Sequence, residues 1–115
     1  MDTSLPGILL SGASGLVGRN FIRAARGRYR LFCLARRSME EAGIQSDPNL
    51  RWLQVDIGER DKLLGFAALL RSYGGVQFVV NLAGYYDFTN REHPEYTRTN
   101  IHGTTNMLDL AKELA

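Results

Sequence analysis

Lysine is almost missing from this chain: Lys62 and Lys112 stand against twelve arginines in 115 residues. Cysteine is scarcer still. Cys33 is alone, so no intramolecular disulfide can form, and its apolar neighbours read it as a small buried hydrophobe rather than a reactive thiol. Only 3 prolines and 44% hydrophobic residues exclude a disordered tail. No apolar run approaches the roughly 20 residues of a membrane span, and the N-terminus lacks the basic-then-apolar layout of a signal peptide. The expectation is a soluble, cytoplasmic chain with no membrane partner. Its 115 residues suffice for one compact domain and are too few for two.

Charge is present but unevenly placed. The net +2 conceals a basic first third, where seven arginines between Arg19 and Arg37 face one acid, Asp2, while acids predominate in the remainder. No basic run with interleaved aromatics occurs, so nucleic acid is not the expected partner. A small phosphorylated ligand suits this distribution better.

The apolar pattern alternates between two periods. Gly7–Ser11 is a short apolar run that reads as a buried strand, followed by the turn Gly12-Ala13-Ser14-Gly15. From Leu16 the apolar residues fall at helical spacing until Gly27, and Tyr29 to Ala35 reads as a second buried strand. Residues 36–50 read as a loop with one short helix near Met39–Ala42. Leu50 to Val55 is a third strand, Glu59 to Arg71 a helix closed by Gly74-Gly75, and Val76 to Leu82 a fourth, near-continuous apolar strand. After a loop over 83–93, Pro94 opens a long helix through Leu114. Strands alternating with helices imply a Rossmann-type α/β fold: a parallel sheet of about four strands between two helical layers. A doubly wound sheet normally continues further, so one cofactor-binding half of such a fold is expected over residues 1–115, with the substrate-binding part elsewhere.

The sharpest local pattern is Gly12-x-x-Gly15-x-x-Gly18, set between the first strand and the first helix. A residue without Cβ is needed where the strand turns, another where backbone approaches a pyrophosphate, and a third where helix packs on strand. The N–H groups of Gly15, Leu16 and Val17 then face the phosphates, helped by the helix dipole, and Ser14 adds a hydroxyl. A P-loop is excluded, because no Gly-Lys-Ser/Thr follows. On these residues alone, a plain tight turn between strand and helix is the competing explanation.

Ser11-Gly-Ala-Ser-Gly-Leu-Val-Gly18 resembles the (Thr/Ser)-Gly-x-x-Gly-x-x-Gly opening of the extended short-chain dehydrogenase/reductases, the family of NAD(P)-dependent epimerases, dehydratases and reductases. Three more segments resemble the family in order and register. Val55-Asp56-Ile57 matches a strand end whose Asp contacts the adenine amino group. Asn81-Leu82-Ala83-Gly84 matches the strand end that lies along the nicotinamide ribose. Asn100-Ile-His-Gly103-Thr104-Thr-Asn106 matches the family's Asn-x-x-Gly-Thr-x-Asn helix, in which the Asn holds a neighbouring strand and a water. Read locally, Asp56 equally serves as a helix cap, Asn100 as a buried polar residue satisfied by backbone, and Gly103 as a packing glycine. His102 reads as an exposed helical histidine rather than a catalytic base. The resemblance implies a nicotinamide dinucleotide held by Gly12, Ser14, Gly15, Leu16, Val17, Gly18, Asp56, Ile57, Leu82, Ala83, Gly84 and Asn100.

The end of the second strand bears on which dinucleotide. Sites for NAD place an acid there to bind the ribose 2′-hydroxyl. Counting from the glycines, that place falls at Ala35, and Arg36 and Arg37 follow at once. Guanidinium groups pair with a 2′-phosphate through charge-assisted bonds, which favours NADP over NAD. Arginines are common in this chain, and a solvated surface pair is the bland alternative.

The scarcity of lysine now matters. The family's chemistry uses a tyrosine with a lysine four residues later. Four places after Tyr29, Tyr73, Tyr85, Tyr86 and Tyr96 stand Cys33, Gln77, Thr89, Asn90 and Asn100. No catalytic residue is therefore assigned, no metal site is expected, and whether the chain acts as an enzyme stays open. A small-molecule substrate is expected only for a longer parent enzyme. Tyr85, Tyr86, Asp87 and Phe88 either line a substrate pocket or pack against the rest of such a parent. A non-catalytic NAD(P)-binding sensor is the alternative, and surfaces left bare by the absent strands imply self-association.

Overall fold

The computed structural model describes residues 1–84 and 93–115; Tyr85–Phe88 and the rest of that loop lie outside the described residues. Four parallel strands form one sheet in the order β3-β2-β1-β4. They are β1 (Gly7–Ser11), β2 (Arg30–Ala35), β3 (Leu50–Gln54) and β4 (Phe78–Asn81). Helix α1 (Leu16–Ala25) joins β1 to β2, while α2 (Arg60–Leu64) and α3 (Ala67–Ser72) join β3 to β4. A π-helical segment, Tyr96–Gly103, runs into α4 (Thr104–Leu114).

The strands separate two cores by simple alternation. Leu9, Phe32, Leu34 and Leu53 face α2, α3 and α4, where Leu63, Leu70, Met107 and Leu110 meet them. Ile8, Leu10, Leu31 and Cys33 face the other way, onto Ile22 and Ala25 of α1 and onto Met39 and Ile44 of the β2–β3 connection. Every residue of β1 and β2 is buried, so these strands carry apolar side chains on both faces. The fold is the expected three-layer, Rossmann-type arrangement.

Four element readings need correction. Residues 39–43 form turns, with no helix. Ser38 and Glu41 make the reciprocal bonds of a capping box, Glu41 N–H to Ser38 Oγ (3.1 Å) and Ser38 N–H to Glu41 Oε1 (3.3 Å), but left-handed Gly43 ends the turn at once. The helix expected over 59–71 is broken into α2 and α3 at Gly65-Phe66, where glycine costs most in helical backbone. The single long helix expected from Pro94 is π-helical through its first half; apolar spacing over so few residues does not separate the two windings. Finally, β4 is not buried on both faces: Phe78 is 54% exposed and Val79 38%. Its only described neighbour is β1, so it is the sheet's edge.

Arg30 closes the N-terminal end of the sheet. Though 1% exposed, it meets no carboxylate among the described residues; its guanidinium is satisfied by oxygen acceptors. Nε donates to Leu5 O (2.8 Å), Nη1 to Tyr73 O (2.6 Å) and Gly75 O (3.0 Å), and Nη2 to Gly74 O (3.3 Å) and Gln77 Oε1 (3.2 Å). The Tyr73, Gly74 and Gly75 carbonyls follow the C-terminus of α3, where the helix dipole favours a cation.

Candidate functional site

At the opposite end, over the C-terminal ends of the strands, lies an open groove of about 850 Å³. The sheet order places β1 between β2 and β4, so the groove sits where the chain reverses its direction of travel across the sheet. In open parallel sheets this crevice is where ligands bind.

The three glycines meet three different constraints. Gly12 has φ of +67°, and a Cβ there would lie 2.6 Å from the Leu82 carbonyl carbon and 2.7 Å from the Ala83 nitrogen. Both its left-handed backbone and its contact with the end of β4 require glycine. A Cβ on Gly18 would lie 2.2 Å from the Gly12 oxygen, so α1 is pressed against the turn. At Gly15 the nearest neighbour of a Cβ is that oxygen at 3.5 Å. That is an ordinary contact, and Gly15 lines the groove. Its N–H, however, bonds Gly12 O (3.1 Å) within the turn, so that one donor is not turned to a ligand as expected. Helix α1 begins at Leu16 with no side-chain cap on its first N–H groups.

A second network ties β1 to β4 below the groove. Ser11 Oγ bonds Asn81 Oδ1 and accepts from the Ala83 N–H (3.2 Å), while Asn81 Nδ2 donates to Thr104 Oγ1 (3.3 Å). The segment Leu82–Gly84 is thereby held along one wall. The Asn100 side-chain oxygen is 3.5 Å from where a Cβ of Gly84 would sit.

The opposite wall is charged. Ala35 is buried at the end of β2, and Arg36 and Arg37 line the groove after it. Their backbone is pinned by β3: Gln54 Nε2 donates to Arg36 O (3.0 Å) and Trp52 Nε1 to Arg37 O (2.9 Å). The Arg36 side chain is 67% exposed, and its nearest carboxylates, Asp56 and Glu95, are at 3.9 and 4.0 Å. Such loose surface pairs hold a side chain only weakly.

Asp56 is not a helix cap. Its Oδ1 accepts the Gly58 N–H (2.9 Å) inside the β3–α2 turn, and its Oδ2 bonds Arg98 Nη2 at 2.6 Å. Partial burial alone would raise its carboxyl pKa. The Arg98 hydrogen bond, the Gly58 N–H, and the charges of Arg98 and Arg36 outweigh that and hold it below the ordinary value. Arg98 lies flat on Gly58, where a Cβ would meet its Cζ at 3.0 Å. Gly103 packs on Ile57, and Asn106 Nδ2 donates to Ile57 O (2.8 Å). The π-helix and α4 thus clamp the turn that carries Asp56 and Ile57.

Of the sequence candidates, Gly12, Ser14, Gly15, Leu16, Arg36, Arg37, Asp56, Ile57, Leu82, Ala83 and Gly84 line one groove. Val17, Gly18 and Asn100 stand behind or beside it. Sequence reasoning missed Arg19, Glu41 and Thr99, which also line it. Arg19 was hidden among many arginines, and the Asp56–Arg98 pair spans 42 positions with no local signal. His102 is exposed, and His93 Nδ1 accepts the Glu95 N–H (3.1 Å), a helix-start role. Cys33 is buried, which pushes its thiol pKa up to about 12. Among the described residues no cluster of three metal-ligating side chains occurs, and no helix is long and apolar enough to cross a membrane.

A Rossmann sheet with a glycine-lined crevice over its strand ends defines the class of this protein. The profile of the NAD dependent epimerase/dehydratase family matches residues 8–115, and the chain belongs to that family. No curated protein matches it significantly. Among solved structures it is similar to uronate dehydrogenase from Agrobacterium tumefaciens (19% identity, TM-score 0.73, covering 95% of this chain and 37% of that one). It is also similar to the Bordetella bronchiseptica enzyme WbmG in complex with NAD (18%, TM-score 0.78, 96% and 34%). ElxO with NADP bound is a third (17%, TM-score 0.76, 93% and 49%). The chain thus spans between about a third and half of these proteins' length.

Proposed function

We propose that this chain is the dinucleotide-binding portion of an NAD(P)-dependent epimerase, dehydratase or reductase, and that it takes NADP(H) in preference to NAD(H). The observation that carries the preference is the end of β2. A buried Ala35 stands where an acid would receive a ribose 2′-hydroxyl, and Arg36 and Arg37 line the groove beside it. The bound structures of WbmG with NAD and ElxO with NADP support a nicotinamide dinucleotide of either kind.

The residues present fit such a cofactor. Gly15, on the groove lining and without a Cβ, admits a pyrophosphate against backbone, and the uncapped start of α1 supplies N–H donors at Leu16 and Val17. Ser14 adds a hydroxyl. Asp56 and Ile57 bound the adenine side, and Leu82–Gly84 bound the nicotinamide side, with Gly18 and Asn100 supporting from behind. The cofactor, when bound, supplies hydride transfer. This chain contributes binding and orientation, because no tyrosine in it is followed four residues later by lysine.

Calorimetric titration with both dinucleotides tests the reading. NADP should bind more tightly than NAD, and Arg36→Ala should reduce NADP binding by about tenfold while leaving NAD nearly unchanged. Equal affinity for the two cofactors would overturn the preference.

A further inference from the structure

Arg19 has no place in the glycine pattern, yet it comes to the same groove as the two arginines after β2. It is the fourth residue of α1, and its N–H closes the first helical turn on Gly15 O (2.9 Å). Because Gly18 lets α1 press onto the turn, the residue that follows comes to the groove, whose lining it shares with Arg36, Arg37 and Glu41. Among the described residues, no carboxylate lies within 4 Å of Arg19 or Arg37. Exposed Arg23 and Arg28 likewise have no carboxylate within 4 Å among the described residues, but neither lines the groove, whereas Arg26 meets Asp47 and Arg60 meets Asp109.

Both acids in the groove lining are already engaged. Glu41 accepts from Ser38 Oγ (2.9 Å) and Ser38 N–H (3.3 Å), and these bonds, with the charge of Arg37, hold its pKa below the ordinary value. Asp56, further along, is bonded by Arg98 and Gly58. The lining therefore presents three guanidinium groups against two ionised carboxylates, one of them already paired with Arg98, which leaves an excess of positive charge. A ribose 2′-hydroxyl has no use for that excess. A phosphate monoester, with two negative charges and several acceptor oxygens, does.

We infer that Arg19 is a specificity-determining residue of this groove, the third cation around the 2′-phosphate of a phosphorylated dinucleotide. It acts on the phosphate that distinguishes the two cofactors and not on the pyrophosphate they share. This rests on the NADP reading above, and the test separates the two.

The probes are 2′-phospho-ADP-ribose and ADP-ribose, which differ only in the 2′-phosphate and need no nicotinamide contacts. Affinities are measured by calorimetry for wild type, Arg19→Gln and Arg19→Lys, with thermal unfolding run in parallel. Arg19→Gln should weaken 2′-phospho-ADP-ribose by about tenfold and ADP-ribose by less than about twofold, with Arg19→Lys intermediate. Melting temperatures should not move, since the side chain is exposed on a helix surface. If wild type prefers 2′-phospho-ADP-ribose but Arg19→Gln weakens both probes equally, or neither, the inference on Arg19 fails and the NADP reading stands. If wild type binds both probes alike, the NADP reading itself fails, and this inference with it.

Discussion

At Gly18 a methyl group would have to sit 2.2 Å from the Gly12 oxygen, whereas at Gly15 the nearest neighbour is that same oxygen at 3.5 Å. Alanine at the two positions should therefore do different things. Gly18→Ala forces α1 off the turn and should cost about 1–3 kcal/mol in urea-unfolding free energy, as overpacking does. Gly15 has ordinary backbone angles, φ −76° and ψ 173°, so Gly15→Ala should leave stability within about 0.5 kcal/mol and instead weaken dinucleotide binding measured by calorimetry. A Gly15→Ala variant that unfolds early would mean that this glycine serves packing, not ligand approach. The roles of these glycines were legible in the sequence because strand, turn and helix are contiguous there. The spent N–H of Gly15 was not, since it depends on how tightly the turn closes. Cys33 offers a second check at this scale. With its pKa pushed up to about 12 by burial, it should not react with a thiol reagent at pH 8 until the chain unfolds.

Between elements, the long-range ties are polar and come from residues far apart in sequence, which is why none could be read beforehand. Arg30 was counted with the basic third of the chain. Its guanidinium instead bolts the carbonyls after α3 to the start of β2, away from the groove. Arg30→Met would leave several part-buried oxygens without this donor. It should destabilise the fold by about 3 kcal/mol or more, read from the urea midpoint. The Asp56–Arg98 pair is the corresponding tie at the groove end, joining the β3–α2 turn to the π-helix. Because Asp56 has a lowered pKa in the folded chain, its contribution is present above the unfolded value near ~3.9 and is lost as pH falls through the folded value. Asp56→Asn should therefore destabilise the chain at pH 7 and lose less than wild type between pH 5 and pH 2.5. Parallel pH–stability curves for the two proteins would refute the pairing. The helical corrections arise at this scale too. Apolar periodicity locates a helical face, but over so few residues it registers neither the break at Gly65-Phe66 nor the change of winding between Tyr96 and Gly103.

For the whole molecule, the sheet has two ends and two edges, and their burial is uneven. Strands β1 and β2 are covered on both faces, as their unbroken apolar runs indicated. The run in β4 looks the same in sequence, yet the strand lies at an edge with Phe78 54% and Val79 38% exposed. Sequence pattern reports what a strand is suited to bury; it does not report whether the covering element is at hand. Leu82 at 37% and, on the π-helix and α4, Ile101 at 58% and Leu108 at 59% add to the bare apolar surface. A parallel edge strand with free backbone donors and acceptors is a template for pairing, and apolar side chains on it lower the cost of association. The chain alone should therefore self-associate as its concentration rises, seen as an increasing weight-average mass in sedimentation equilibrium. Replacing Phe78 and Val79 together with lysine should shift that association to several-fold higher concentration without loss of secondary structure, since both side chains already meet solvent. A wild-type chain that stays monomeric at high concentration would show that this edge is protected in a way its exposed side chains do not suggest. Association undiminished by the two lysines would move the contact to the exposed side of the π-helix and α4, where Ile101 and Leu108 become the residues to change.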